Sequence, residues 1–330
     1  GMTAQLLAPL LALLAAAATL AWLLGPGRAR LPMDRPNERS LHKVPVPRSG
    51  GVAVVAGVLA ACLPGWPLHA VLAGCVLVLA ALSFADDWRG MPIVLRFGVH
   101  AAAACAFVWL ALPTMPLPWQ AATAFLVAWS INLYNFMDGS DGLAGGMAVF
   151  GFGTCAAAFA LAGDLPLASL SLAIALAAAV FLKANFHPAR IFLGDVGSVP
   201  LGFLAGALGA LGVYRDLVPA WFPFVVFAPF FVDATVTLLR RMLRGERFWQ
   251  AHREHYYQRL VQMGWGHRRT ALAEYALMAV GCTVALVALQ FAEVFRAALL
   301  TGWALAFVTA LLCIDRRWAA AQSGSGAPRK

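Results

Sequence analysis

Residues 121–161, AATAFLVAWSINLYNFMDGSDGLAGGMAVFGFGTCAAAFAL, place a short loop rich in aspartate and glycine between two apolar runs. With the loop edges included, each run approaches the roughly 20 apolar residues of a membrane-spanning helix. A chain inside lipid must satisfy its own backbone hydrogen bonds, so apolar runs of this length are expected to be helical. The stretch therefore predicts two membrane helices joined by a polar loop.

The same pattern recurs along the chain, which is 62% hydrophobic and only 12% charged. A soluble domain has roughly 25% charged residues. We predict an all-α, polytopic integral membrane protein with about eleven transmembrane helices and catalytic cytoplasmic loops. Residues 1–317 would form a single transmembrane catalytic domain and residues 318–330 a disordered tail. The predicted spans are 6–24, 51–63, 68–84, 97–112, 121–137, 147–161, 165–182, 199–213, 217–239, 271–291 and 295–314.

The net charge of +9 reflects membrane topology rather than nucleic-acid binding. With eleven spans, 22 of the 24 Lys and Arg residues fall on one side, and only Arg215 and Arg296 fall on the other. Basic loops face the cytoplasm. We therefore expect a multi-pass membrane protein with its N-terminus outside and its C-terminus in the cytoplasm.

Acidic residues are few, fifteen in all, and a bilayer makes them costly. Neighbouring carboxylates repel each other by about 4 kcal/mol at 4 Å and an effective dielectric of 20, and a hard cation such as Mg²⁺ relieves that repulsion. The alternative for any one of them is a solvated acid at a loop end. Six acids are predicted on the cytoplasmic side, five at the ends of spans and the last one inside a span: Asp86, Asp87, Asp138, Asp141, Asp195 and Asp233.

The loop NFMDGSDGLAGG, residues 135–146, is the densest polar segment. Asp138 and Asp141 are three positions apart and share a face if the loop turns helically. Its glycines allow a ligand to approach the backbone, and the following helix would direct its N-terminal dipole at an anion. The loop therefore predicts a site for phosphate and metal.

A second segment, KANFHPARIFLGDVGS at residues 183–198, brackets Asp195 with glycines. Lys183 and Arg190 supply positive charge that can hold phosphate. Ser198 is predicted to be the N-cap of the next span, which has Pro200 in its first turn.

A third segment, HREHYYQRL at residues 252–260, repeats basic side chains at helical spacing. This segment is either part of the predicted phosphate and metal site or a surface helix attracted to anionic lipid headgroups. The same two readings apply to Lys43 and Arg48 in the first loop.

Together these segments resemble the polyprenyl-phosphate N-acetylhexosamine-1-phosphate transferases of glycosyltransferase family 4. The resemblance covers essentially the whole chain. It rests on PRSGG (47–51), the pair Asp86-Asp87, NLYNFMDGSDGL (132–143), NFHPARIFLGDVGS (185–198) and HREHYYQRL (252–260).

The resemblance implies that the phosphate of undecaprenyl phosphate attacks the β-phosphorus of a UDP-sugar, with Mg²⁺ as cofactor and Mn²⁺ as a substitute. Direct attack is the favoured route, and a two-step route through a carboxylate nucleophile is the alternative. The resemblance also implies a bacterial inner membrane, with the active site in the cytoplasm. Membrane lipids are further partners, and a homodimer is one option for the assembly. By analogy, Asp195 is catalytic and binds metal with Asp138 and Asp141, while Asp86 and Asp87 orient or deprotonate the lipid phosphate. The substrate-binding residues implied are Lys43, Arg48, Asn135, Asp138, Asp141, Lys183, Asn185, Arg190, His252, Arg253 and His255.

The sequence departs from the family pattern in two places. Trp88 follows the acidic pair, where some relatives have a further acid, which bears on the role of Asp86 and Asp87. The basic segment has His252-Arg-Glu-His255 rather than three consecutive histidines, which favours an O-antigen or other envelope-glycan initiator over the peptidoglycan lipid-I branch. From other classes, a secondary transporter would place charges at mid-span and a non-catalytic scaffold would tolerate neutralised acids; the sequence favours neither.

Overall fold

The computed structural model describes residues 2–34, 45–65, 69–247 and 252–324. Helices make up nearly all of the regular structure, and the first loop contains one short antiparallel pair, β1 (Met33–Asp34) with β2 (Val46–Pro47). The helices are α1 (Met2–Leu24), α2 (Gly51–Cys62), α3 (Ala70–Arg89), α4 (Ile93–Ala111), α5 (Leu117–Phe136), α6 (Leu143–Leu161), α7 (Leu165–Asn185), α8 (Asp195–Tyr214), α9 (Trp221–Val226), α10 (Ala228–Leu243), α11 (Tyr256–Leu260), α12 (Gly266–Ala288) and α13 (Glu293–Gly324).

Eight helical stretches in the described part of the chain are long and apolar enough to cross a membrane. They comprise α1, α3, α4, α6, α7, α8, α13, and α12 together with the helical turns before it. The prediction of an all-α polytopic membrane protein is confirmed. The other three predicted spans correspond to the short α2, to α5, and to the pair α9 and α10.

Most helix boundaries differ from the predicted spans by a few residues, and three of the differences change how an element or a residue is assigned. The predicted span 217–239 is interrupted at Phe227, because Pro229 lacks an amide hydrogen and is tolerated only in the first turn of a new helix, α10. Helix α8 begins at Asp195 instead of residue 199, so Ser198 is not its N-cap. Helix α13 includes residues 318–324 of the predicted tail.

Helix α8 lies at the centre of the bundle, and 83% of the residues in its most apolar stretch are buried. Its first turn touches the first turn of α2, where a Cβ on Gly51 would lie 2.3 Å from the Cα and N of Gly197. Just before these helices, the backbone of residues 47–51 hydrogen-bonds to residues 192–193, including a 2.8 Å bond from the Gly50 amide to the Phe192 carbonyl. This packing brings the end of the first loop beside Asp195.

Candidate active site

A polar cavity of about 450 Å³ lies where α3, α5 and α7 end and α4, α6 and α8 begin. Eight predicted site residues line it: Arg48, Asp86, Asp87, Asn135, Asp138, Asp141, Asn185 and Asp195. Arg96, Ser140, Gln258 and His267 also line it, and the sequence reasoning had not assigned them to the site. The cavity therefore joins the first loop, the Asp86-Asp87 pair and the two densest polar segments.

Arg96, in the first turn of α4, connects acids from two helices. One guanidinium nitrogen lies 3.2 Å from Asp86 Oδ2, and another lies 3.0 Å from Asp195 Oδ2. A planar guanidinium has donors on separate nitrogens and can serve two carboxylates at once. Arg96 thus holds the ends of α3 and α8 at a fixed separation.

Arg48 plays a similar role for Asp87. Its guanidinium lies 2.7 Å from Asp87 Oδ1, and the Asp87 side chain is only 1% exposed. The second oxygen, Oδ2, is buried without a hydrogen-bond partner. A buried carboxylate oxygen without a donor is costly, so this atom is available to a cation or to a substrate donor.

Asp138 lies in the loop between α5 and α6 and carries an electrostatic penalty. Burial raises the pKa of its carboxyl well above the usual range, and the nearby charges of Asp195 and Asp87 raise it further, while Arg48 opposes them. Both causes disfavour a carboxylate without a counter-ion. A cation bound next to Asp138 would remove the repulsion.

The two asparagines are fixed by hydrogen bonds. Asn135 Oδ1 accepts a 2.7 Å bond from the hydroxyl of Ser198, which explains why this serine lies inside α8 facing α5. Asn185 accepts from the Gly142 amide at 2.9 Å and donates to the Ile191 carbonyl at 3.0 Å. Asn185 therefore fastens the two densest polar segments to each other.

Two histidines stand at one edge of the cavity. His187 Nδ1 lies 2.6 Å from Asp141 Oδ2, which also accepts the Ala189 amide at 3.2 Å. His267 Nδ1 lies 2.8 Å from the Ser140 hydroxyl. The two imidazole rings stack with centroids 5.6 Å apart. This edge joins the segment after α7 to the start of α12.

The other predicted binding residues do not line this cavity. Lys183 and Arg190 are exposed at the end of α7 and after it. His255 is buried, with Nδ1 3.2 Å from Asp233 Oδ1. Burial, with His255 and Arg241 nearby, lowers the pKa of His252 to about 4, so it is neutral at pH 7. Arg253 also lies outside the cavity lining, and Lys43 falls outside the described residues.

The acids of the cavity are candidate ligands for a magnesium ion. Within the described ranges, no three His, Cys, Asp or Glu side chains are close enough to form a ready-made metal site. Mg²⁺ does not require one, because it is commonly held by one or two carboxylates together with water and substrate phosphates. The oxygen donors, the unpartnered Asp87 Oδ2 and the buried Asp138 carboxyl suit such a cation.

Sequence comparison identifies proteins similar to this chain. The family model described as Glycosyl transferase family 4 matches residues 69–213, which include Asp86 to Asp195. The chain is 29% identical over 265 residues to a probable undecaprenyl-phosphate N-acetylglucosaminyl 1-phosphate transferase of Bacillus subtilis (strain 168), covering 74% of each chain.

Two further relatives have related names. A decaprenyl-phosphate N-acetylglucosaminephosphotransferase of Mycobacterium leprae (strain TN) is 29% identical, over 73% of this chain and 72% of the relative. An undecaprenyl-phosphate alpha-N-acetylglucosaminyl 1-phosphate transferase of Yersinia pestis is 25% identical, over 88% and 86%.

The fold and the site define an integral membrane enzyme with a cavity of carboxylates and arginines at one end of its helical bundle. Residues 69–213 match glycosyl transferase family 4, and the chain is a phosphoglycosyltransferase.

Proposed function

We propose that the protein transfers N-acetylhexosamine 1-phosphate from a UDP-sugar to undecaprenyl phosphate, forming undecaprenyl diphosphate sugar and UMP. The names of the relatives support the polyprenyl acceptor and the N-acetylhexosamine. The observation that carries the proposal is the cavity in which Asp86, Asp87, Asp138 and Asp195 meet Arg48 and Arg96. Its position at the ends of membrane helices suits one lipid substrate and one soluble substrate.

The reaction exchanges one diphosphate linkage for another. A phosphate oxygen of the acceptor forms a bond to the β-phosphorus of the donor, and the bond from that phosphorus to the bridging oxygen of UMP breaks. At neutral pH the acceptor phosphate is largely dianionic, since its second pKa is about 6. The site must therefore bring two anions together, and a strong base is not required.

The residues of the cavity divide this task. Arg48 and Arg96 would hold substrate phosphates while keeping their carboxylate partners, since a guanidinium has five N–H donors. Asp86 and Asp87 would orient the acceptor. Asp138 and Asp195 would hold Mg²⁺, or Mn²⁺ in its place, together with water and substrate phosphates. Asp141, which the sequence also predicts as a metal ligand, has its Oδ2 bonded to His187 and to the Ala189 amide. When bound, the cation neutralises charge on the diphosphate.

Asn135 and Asn185 position this set by fastening α5 to α8 and the acidic loop to the segment before α8. Lys183, Arg190, His252, Arg253 and His255 lie outside the cavity lining. These five residues would contact only the part of a long substrate that extends beyond the cavity.

The site would face the cytoplasm of a bacterial inner membrane, where UDP-sugars are available. The distribution of Lys and Arg supports this orientation. The product would begin an envelope glycan such as O antigen, for which the two histidines in HREH are the supporting feature.

The test uses the purified full-length protein with undecaprenyl phosphate, Mg²⁺ and a panel of UDP-sugars that includes UDP-N-acetylhexosamines and a UDP-N-acetylmuramoyl peptide. We expect UMP and lipid-linked sugar with an N-acetylhexosamine donor, complete loss with EDTA, and a loss of more than about 100-fold in Asp195→Asn. Asp164→Asn is the matched control, because Asp164 pairs with Arg215 at the other end of α7 and α8.

Three results would contradict parts of the proposed function. Full activity in Asp195→Asn would contradict the metal role of this residue. Product only with the muramoyl peptide would replace the O-antigen branch by the peptidoglycan branch. Failure to form UMP with any donor would contradict the transferase function and favour a transporter.

A further inference from the structure

Asp233 lies outside the cavity and has a different role from the six acids that line it. Its side chain, on α10, is almost completely buried. Oδ1 accepts the Tyr256 amide at 2.9 Å, and Oδ2 accepts the Tyr257 amide at 3.1 Å. These are the first two amides of α11, which no helical carbonyl can satisfy. Asp233 therefore anchors the N-terminus of this short helix to α10.

Tyr257, anchored in this way, reaches the loop that carries Asp138. Its side chain is fully buried. Its hydroxyl donates a 3.2 Å hydrogen bond to the carbonyl of Phe136, the last residue of α5. The hydroxyl also lies against Gly139, where an added Cβ would be only 2.2 Å from the hydroxyl oxygen. The Tyr257 hydroxyl thus touches the backbone on both sides of Asp138.

This segment needs external support. Asp138 lies in a loop between α5 and α6 rather than in a helix, and it shares the cavity with Asp195 and Asp87. The local backbone bond of the Asp138 amide, to the Asn135 carbonyl, is long at 3.3 Å. A site carboxylate keeps its geometry when packing and hydrogen bonds hold the backbone that carries it.

We propose that Tyr257 is a positioning residue for Asp138: its hydroxyl, anchored through α11 to Asp233, fixes the backbone at 136–139 and so sets the Asp138 carboxylate for the donor and its cation. This proposal rests on the proposed function and adds to it a coupling between the acidic loop and the HREHYYQRL segment. That segment thereby acts on the reaction although its histidines lie outside the cavity lining.

The first test compares Tyr257→Phe with Tyr256→Phe. Both changes remove one hydroxyl from the same helix, but the Tyr256 hydroxyl bonds to Asp315 on α13, 3.1 Å away. Loss of one hydrogen bond corresponds to about fivefold in an equilibrium constant. We expect Tyr257→Phe to lower kcat/KM for the UDP-sugar by about fivefold and to leave KM for undecaprenyl phosphate unchanged, with thermal unfolding similar in the two variants.

The second test is a double-mutant cycle. Gly139→Ala places a methyl group against the Tyr257 hydroxyl and should reduce activity by at least about tenfold. Tyr257→Phe removes the atom that the methyl group meets, leaving the ring carbon Cζ at 3.2 Å. We therefore expect Gly139→Ala/Tyr257→Phe to be more active than Gly139→Ala alone.

Hydrogen–deuterium exchange of residues 137–142 supplies a readout that does not need activity. Exchange should accelerate by about fivefold in Tyr257→Phe and stay unchanged in Tyr256→Phe. Equal exchange in the two variants, or a double variant no more active than Gly139→Ala, would overturn the proposal. If the wild-type protein forms no product, the proposed function fails, and the exchange result alone still decides whether Tyr257 holds this loop.

Discussion

Replacing Arg96 tests whether the carboxylates of the cavity depend on the guanidinium that joins them. Arg96→Gln keeps the length of the side chain approximately and removes the positive charge that Asp86 and Asp195 share. Arg96→Lys keeps the charge, but a single ammonium cannot reproduce the separated donors of the guanidinium. The two variants therefore distinguish charge from geometry.

The magnitude follows from the two ion pairs. Two unit charges 4 Å apart interact by about 4 kcal/mol at an effective dielectric of 20 before desolvation is subtracted. Arg96 is 31% exposed, so solvent weakens each pair, and about 1.5 kcal/mol per pair is a reasonable net value between exposed and buried pairs. Loss of both pairs then costs about 3 kcal/mol, or about 150-fold in kcat/KM.

The assay is steady-state formation of UMP by purified variants at saturating Mg²⁺. We expect Arg96→Gln to lose about 150-fold and Arg96→Lys about tenfold in kcat/KM. Arg89→Gln is the control, because Arg89 is an exposed residue at the end of α3 outside the cavity lining. Arg96→Gln with wild-type kcat/KM, or Arg96→Lys as impaired as Arg96→Gln, would refute the reasoning.

Two further predictions concern stability. Gly51→Ala should destabilise the protein by about 1–3 kcal/mol, because the added Cβ meets backbone atoms of Gly197 that cannot move aside. Gly74→Ala is the control, because a Cβ at this position meets nothing within 4 Å. In the same thermal melt this variant should unfold like the wild type. Burial and nearby cations lower the pKa of His252 from 6.5 to about 4. As the pH falls from 6.5 to 4, the unfolded chain therefore binds a proton that the folded protein does not. The free energy of unfolding falls as a result. His252→Gln should lose less stability than the wild type between pH 7 and pH 5; an identical loss would contradict this assignment.

The positions of the helices could be predicted because apolar runs in lipid have few alternatives to a helix. Their boundaries were less predictable. Gly197, Ser198 and Pro200 suggest a helix start after residue 198, but the start of α8 is fixed by Gly194, which has a φ of +71°. The break at Phe227 was also missed, since the apolar pattern continues through it.

The cavity acids could be predicted because carboxylates are scarce in this chain and costly in a bilayer. The partners of these acids could not. Arg96 counts as one more basic loop residue until α4 is packed against α3 and α8. Gln258 and His267 reach the cavity only through the fold. Asp233 is the clearest example. The sequence predicts that this residue lies inside a span, but it does not predict that the side chain binds the amides of α11.

The central claim is that a sugar 1-phosphate, and not the sugar alone, is transferred. A UDP-N-acetylhexosamine carrying radioactive phosphorus only at the β position decides this directly when it is incubated with the protein, Mg²⁺ and undecaprenyl phosphate. We predict that the label appears in the lipid fraction and that unlabelled UMP is released, with both lost in Asp195→Asn. Label that stays in the nucleotide fraction as UDP while the sugar appears on the lipid would contradict the account.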